Sequence, residues 1–125
     1  MKKSTFEFLS ADKGTKIHAV KWEPDTKEVV GVLQIAHGMV EYIERYDAFA
    51  QYMTQKGFVV VGHDHLGHGD SVVSSEYWGY FAPKNGSDIL VEDMNKLRTM
   101  TQKEYAGVPY FMLGHSMGSF LLRKY

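Results

Sequence analysis

The sequence predicts an α/β fold: an antiparallel hairpin leading into a mostly parallel sheet with flanking helices. Three short apolar runs, 29–36, 58–62 and 110–113, lack polar alternation, as strands buried on both faces do. Stretches with apolar residues at three- and four-residue spacing lie between the later runs, as helices would. Strands alternating with helices imply parallel pairing through crossovers.

The elements follow in order. Residues 5–10 alternate, with Phe6 and Phe8 on one face. Ala11-Asp12-Lys13-Gly14 is a turn signal, and residues 15–23 resume the alternation with His18, Val20 and Trp22 sharing a face. The pair reads as an antiparallel hairpin with one wet side. Glu23-Pro24-Asp25 breaks it. The run 29–36 is the third strand. Tyr42, Tyr46, Phe49, Ala50 and Met53 then mark one face of a helix, closed by Gly57. The fourth strand is 58–62. Residues 71–85 are irregular and rich in aromatics: Tyr77, Trp78, Tyr80 and Phe81. Leu90, Met94, Leu97 and Thr101 mark a second helix, with Ser87 and Asp88 as N-cap candidates. The fifth strand is 110–113, and 119–124 opens a further helix. The order is β-β-β-α-β-α-β-(α).

A chain of 125 residues is at most one domain. Its 44% hydrophobic and 23% charged content is that of an ordinary globular chain, which permits a packed core. A net charge of −1 without a basic stripe argues against nucleic acid or an anionic membrane as partner. Cysteine is absent, which removes disulfides and thiolate metal sites and fits a reducing compartment. Met1-Lys2-Lys3 is followed by Ser4-Thr5-Phe6-Glu7, which is no signal-peptide core, and no run reaches the length of a membrane span. A cytoplasmic location is expected.

The chemistry centres on Gly114-His115-Ser116-Met117-Gly118, a G-x-S-x-G. Ordinary glycine and serine frequencies produce a bare match in a chain this long on the order of a few per cent of the time, so context must decide. An apolar strand precedes it and a helix-compatible run follows, the strand-turn-helix setting of a nucleophile elbow. Ser116 is the candidate nucleophile. Gly114 and Gly118 permit the tight path that projects its hydroxyl. One oxyanion donor in such sites comes from the residue after the nucleophile and one from the loop after an earlier strand. These are the backbone amides of Met117 and Met39, in the loop His37-Gly38-Met39. Gly38 allows close approach of the backbone. His115 neighbours Ser116 but leaves the elbow in another direction, so packing is its expected role. The bland alternative for the whole set is a Gly-Ser turn and an ordinary strand-to-helix loop.

A rival constellation is His63-Asp64-His65-Leu66-Gly67-His68. Imidazoles at this spacing can bind zinc, and zinc-bound water is a nucleophile. Gly67 stands where the H-x-H-x-D-H pattern of metallo-β-lactamase-like hydrolases has aspartate, so the ligand set is incomplete.

Together these motifs resemble the α/β-hydrolase superfamily, and within it the monoacylglycerol lipase and lysophospholipase group. His37-Gly38-Met39-Val40-Glu41 through Arg45-Tyr46 resembles its H-G-x-G-E…R-Y block. Asp64 through Ser71 resembles its D-[HR]-x-G-H-G-x-S loop, and Pro109 through Gly118 its elbow. Val40 replaces a usual glycine, and Ser119 stands where a third glycine often follows the elbow.

The resemblance covers the N-terminal part of an α/β-hydrolase fold. It implies that 1–125 is an incomplete domain, with later strands, a cap and the C-terminal triad residues absent. It implies a serine esterase acting on a small acyl ester through an acyl-enzyme on Ser116, with no cofactor, and a fragment inactive alone. The missing C-terminal part, or another chain, is expected to cover the open sheet edge. It also places Asp64, His65 and His68 in a structural loop without metal. Two other readings remain open: a non-catalytic α/β module acting in binding or assembly, and a zinc hydrolase using His63, His65 and His68.

Overall fold

The computed structural model describes residues 1–11, 14–26, 28–37, 42–64 and 86–115, without the side chains of 86–88. The aromatic stretch 71–85, the loop 65–70 and the helix expected at 119–124 lie outside the described residues.

Five strands form one sheet in the order β1-β2-β4-β3-β5. They are β1 (Lys2–Leu9), β2 (Lys16–Glu23), β3 (Gly31–Ala36), β4 (Phe58–His63) and β5 (Tyr110–Gly114). β1 and β2 are the predicted hairpin, and β2 is antiparallel to β4. β3 pairs in parallel with both β4 and β5. Helix α1 (Asp47–Gln55) follows a 3-10 turn at Ile43–Tyr46, and α2 (Gly86–Glu104) precedes β5. α2 begins one residue before its expected cap. Through β5, the observed order of strands and α-helices is the predicted one.

Because side chains alternate along strands, the sheet has two cores. Beneath α1, Val20, Trp22, Leu33, Ile35 and Val60 pack with Ile43 and Ala50. Beneath α2, Ile17 and Ala36 pack with Leu90 and Met94, and Val32, Val59 and Val61 with Leu97. Burying each aliphatic side chain of this size stabilises the fold by about 1.5–3 kcal/mol. The buried amide of Gln34 is satisfied on the α2 side: its Nε2 donates to the Met94 carbonyl at 3.1 Å, and its Oε1 accepts from the Tyr110 hydroxyl.

Three expectations need correction. The hairpin's wet side holds for β1 alone, since β2 is interior to the sheet and buries Ile17 and Ala19 on one face and Val20 and Trp22 on the other. The first helix does not turn Tyr42 and Phe49 inward; these are exposed, and Ile43, Ala50 and Thr54 are buried. Its first turn is 3-10, which advances three residues per turn and shifts the phase of the stripe. Finally, β5 is not buried on both faces: Phe111 and Leu113 are 52% and 40% exposed, at the edge of the described sheet. Gly57 does close α1, with φ of 92° where a side chain would be strained.

Candidate active site

β3 and β5 pair in register, Val32 opposite Tyr110 through Ala36 opposite Gly114. Their carboxyl ends therefore stop at the same level. The His115 amide extends the ladder, donating to the Ala36 carbonyl at 3.1 Å. β4 runs parallel on the other side of β3, with Ile35 opposite Gly62, so His63 and Asp64 emerge at that same end. Open α/β sheets bind ligands outside the carboxyl ends of their strands.

The structure thus brings together His37, Gly114 and His115. Gly38, Met39, Ser116, Met117 and Gly118 lie outside the described residues. So do His65 and His68 of the zinc alternative. The remaining member of that set, His63, is fully buried, with its ring edge-on to Phe8 at 5.7 Å between centroids. Among the described residues, no three His, Asp or Glu side chains gather as metal ligands would. His115 was expected to pack but is exposed, at the end of the edge strand.

Two buried imidazoles lie beneath this end of the sheet. His37 and His63 are both inaccessible to water. Burial, and then the neighbouring charge of His37, push His63 down from 6.5 to about 3, so its ring is neutral at neutral pH.

Asp64 has a role that the sequence did not reveal. It is 2% exposed, and its Oδ1 accepts the Ile43 amide at 2.6 Å. Its own amide donates to the His18 carbonyl at 2.9 Å. β2, β4 and the approach to α1 therefore meet at one residue. Gly62, two positions earlier, makes room for the Ile43 side chain: a Cβ there would run into Cδ1 and lie 2.8 Å from Cγ1. An acidic residue closing a strand before a glycine-rich loop was the available signal, but nothing in it names Ile43 as the partner.

The strand order and the superposition on solved esterases give this chain the fold of an α/β hydrolase. Residues 27–125 match the family described as serine aminopeptidase, S33, and the chain belongs to that family. It is 36% identical over 110 residues to the monoglyceride lipase homolog of Monkeypox virus, covering 82% of this chain and 35% of that protein. It is 33% identical over 112 residues to the monoacylglycerol lipase of Mycolicibacterium smegmatis, covering 90% and 38%. A carboxyl esterase from Bacillus coagulans, solved in complex with glycerol, superposes with a TM-score of 0.90 at 35% identity, over 100% of this chain and 40% of that one. The chain spans about a third of the length of the curated relatives it matches. Among the described residues, no helix is long and apolar enough to cross a membrane.

Proposed function

We propose that the chain supplies the nucleophile and oxyanion site of a serine hydrolase that cleaves carboxylic esters, with monoacylglycerols or lysophospholipids as substrates. The observation that carries this is the β3–β5 register, which ends the two strands at one level with His37 and His115 next in the chain. That is the relationship an oxyanion loop and an elbow require. The Ser116 hydroxyl attacks the acyl carbonyl as its proton passes to a histidine. The carbonyl oxygen becomes an alkoxide, received by the Met39 and Met117 amides. Collapse expels the alcohol, and water then cleaves the acyl-enzyme. In this topology the acid and histidine follow the nucleophile, and we assign them to polypeptide after Tyr125. Residues 1–125 alone are then inactive. The exposed edge at β5 is covered by that same polypeptide or by another chain. The lack of cysteine favours work in the cytoplasm.

The names of the two relatives favour an acylglycerol, while the family description favours a peptide substrate. The test is Ser116→Ala in the full-length chain, assayed with a monoacylglycerol, a lysophospholipid and a proline anilide. The variant should lose fluorophosphonate labelling and about ten-thousand-fold or more of the hydrolysis. Unchanged labelling rejects the serine mechanism. Turnover of the anilide alone makes the protein a peptidase.

A further inference from the structure

We propose that β1 is the contact surface for a second copy of this chain, the two β1 strands pairing antiparallel about a two-fold axis at Thr5. β1 is an eight-residue strand at one edge of the described sheet, paired with β2 alone. The ladder shows which of its backbone groups point outward. The Ser10 amide donates to the Thr15 carbonyl, so these two form a hydrogen-bonded pair. In an antiparallel ladder such pairs alternate with non-bonded ones. Phe8, Phe6 and Ser4 therefore bond β2, while Leu9, Glu7, Thr5 and Lys3 turn their amides and carbonyls away from it. β2 shows the same phase: His18, opposite Glu7, gives its carbonyl to the Asp64 amide at the end of β4. Lys3, Thr5 and Glu7 are exposed, and among the described residues no other strand pairs with them.

A second β1 can bond these outward groups only in registers that set Lys3, Thr5, Glu7 and Leu9 against one another. Centred on Thr5, the register places Thr5 opposite Thr5 and, on both sides of it, Lys3 opposite Glu7 of the second copy. Opposite charges then face each other, as a sheet favours. Sliding one way sets Lys3 opposite Leu9, whose carbonyl already accepts from Lys96 at 2.8 Å. Sliding the other way sets Glu7 opposite Met1, whose ammonium is already paired with Asp25. Sliding further sets Lys3 against Lys3 or Glu7 against Glu7, and like charges directly opposite are destabilising. Lys3 also holds Glu44 at 2.8 Å and Asp47 at 3.1 Å. Its ammonium has three donors, and an exposed ion pair contributes little, so the charges choose the register rather than supply the strength. Apolar contact comes from beneath. Thr5 and Met100 line one cleft of about 300 Å³ between β1 and α2, and Met100 is 43% exposed. A residue beside a two-fold axis meets its own counterpart, so this pairing brings the two Met100 side chains together. The parallel strands of the two copies then run in opposite directions, and their carboxyl ends face opposite ways.

The experiment uses the full-length chain, with mass measured by light scattering at micromolar concentration. Wild-type protein should have about twice the mass of the monomer. Thr5→Pro removes an outward amide and no bond to β2, a place where an edge strand tolerates proline. It should be monomeric with a wild-type circular dichroism spectrum. Thr5→Cys and Leu9→Cys test the register. Residues 1–125 contain no cysteine, and wild-type protein oxidised in parallel accounts for any cysteine after Tyr125. Cα atoms of a hydrogen-bonded antiparallel pair lie about 5.5 Å apart, within the reach of a disulfide, about 4.4–6.8 Å. Mild oxidation should therefore convert Thr5→Cys into a covalent dimer. Leu9→Cys, opposite Met1 in this register, should stay uncrosslinked.

A monomeric wild-type protein overturns the inference, including the case in which polypeptide after Tyr125 covers β1. A dimer that survives in folded Thr5→Pro places the contact elsewhere and overturns it as well. Should Thr5→Pro fail to fold, the cysteine variants decide: crosslinking at position 5 and not at position 9 supports the pairing, and any other pattern rejects it.

Discussion

Asp93 on α2 grips Ser10 at the end of β1. One carboxyl oxygen accepts the Ser10 hydroxyl at 2.7 Å, and the other accepts the Ala11 amide at the same distance. Ser10 and Asp93 are fully buried, 83 positions apart in the chain. Lys96, nearly one turn further along α2, donates to the Leu9 carbonyl at 2.8 Å. These bonds satisfy polar groups at the turn that would otherwise be buried without partners. They also fasten the edge of the sheet to the helix that packs beneath β3 and β4.

Asp93→Ala should therefore destabilise the full-length protein substantially. It leaves a buried hydroxyl and an amide without their acceptor, each costing about 1–3 kcal/mol. Asp93→Asn, which keeps one acceptor oxygen, should lose roughly half as much. Urea denaturation measures both. An alanine variant with the wild-type midpoint and slope would show that the clamp contributes nothing.

A second prediction comes from the contact of Gly62 with Ile43. The smallest added side chain at Gly62 meets Ile43 Cδ1, so Gly62→Ala should cost about 1–3 kcal/mol by overpacking. Ile43→Val removes that methyl and should itself cost about 0.5–1.5 kcal/mol. In the valine background the alanine should cost clearly less than in wild type. Additive costs in the double-mutant cycle would mean that the two sites do not press on each other.

The third prediction concerns acid. The unfolded chain takes up a proton on His63 near 6.5, whereas the folded chain resists to about 3. Stability from keeping this ring neutral is complete above pH 6.5 and declines as the pH falls toward 3. At about 1.4 kcal/mol per pH unit, the loss over this window is on the order of 5 kcal/mol. That is comparable to the lower end of a whole domain's stability of about 5–15 kcal/mol. Asp47, held low by Trp22 and then Lys3, and Glu104, held low by Lys21, add their losses only in the carboxylate range. His63→Leu should flatten the dependence of the urea midpoint between pH 6.5 and 4.5. An unchanged slope there would rule out His63 as its source.

Much of this arrangement was legible in the sequence because it is local. The β-branched run Val59-Val60-Val61 can scarcely be anything but a buried strand, and Gly57 marks the end of α1 because its backbone takes a left-handed turn. What escaped depends on partners distant in the chain. Ile17 and Val20 are both buried because β2 lies inside the sheet, and that order is decided by β4, some forty residues later. The stripe of α1 slipped in phase because the 3-10 turn at Ile43 breaks the 3.6-residue period. The carboxyl groups of Asp64 and Asp93 look like any other acids in the sequence. Only the folded chain assigns one to Ile43 and the other to Ser10. At the candidate site, the motif around Ser116 was legible as a motif, and the alignment of β3 with β5, which sets Ala36 opposite Gly114, is what a linear pattern does not contain.

The last prediction concerns the edge at β5. Phe111 and Leu113 stand opposite Leu33 and Ile35 and so share one face of the sheet. That is the face of α1, which packs chiefly over β4 and β2. Phe111 touches Phe58 edge-on at 6.3 Å between centroids and is still half exposed. Covering the exposed half of these two side chains would contribute roughly 1.5–3 kcal/mol. An edge strand of the described sheet beside such a patch invites pairing with another chain. Residues 1–125 produced alone should therefore self-associate or aggregate, with a mass by light scattering above that of the monomer. Phe111→Lys with Leu113→Lys puts charge on the same strand and should shift the population toward monomer without changing β5 pairing to β3. If unmodified 1–125 is instead a monomer that unfolds cooperatively at micromolar concentration, the exposed face needs no cover and this account of the edge fails.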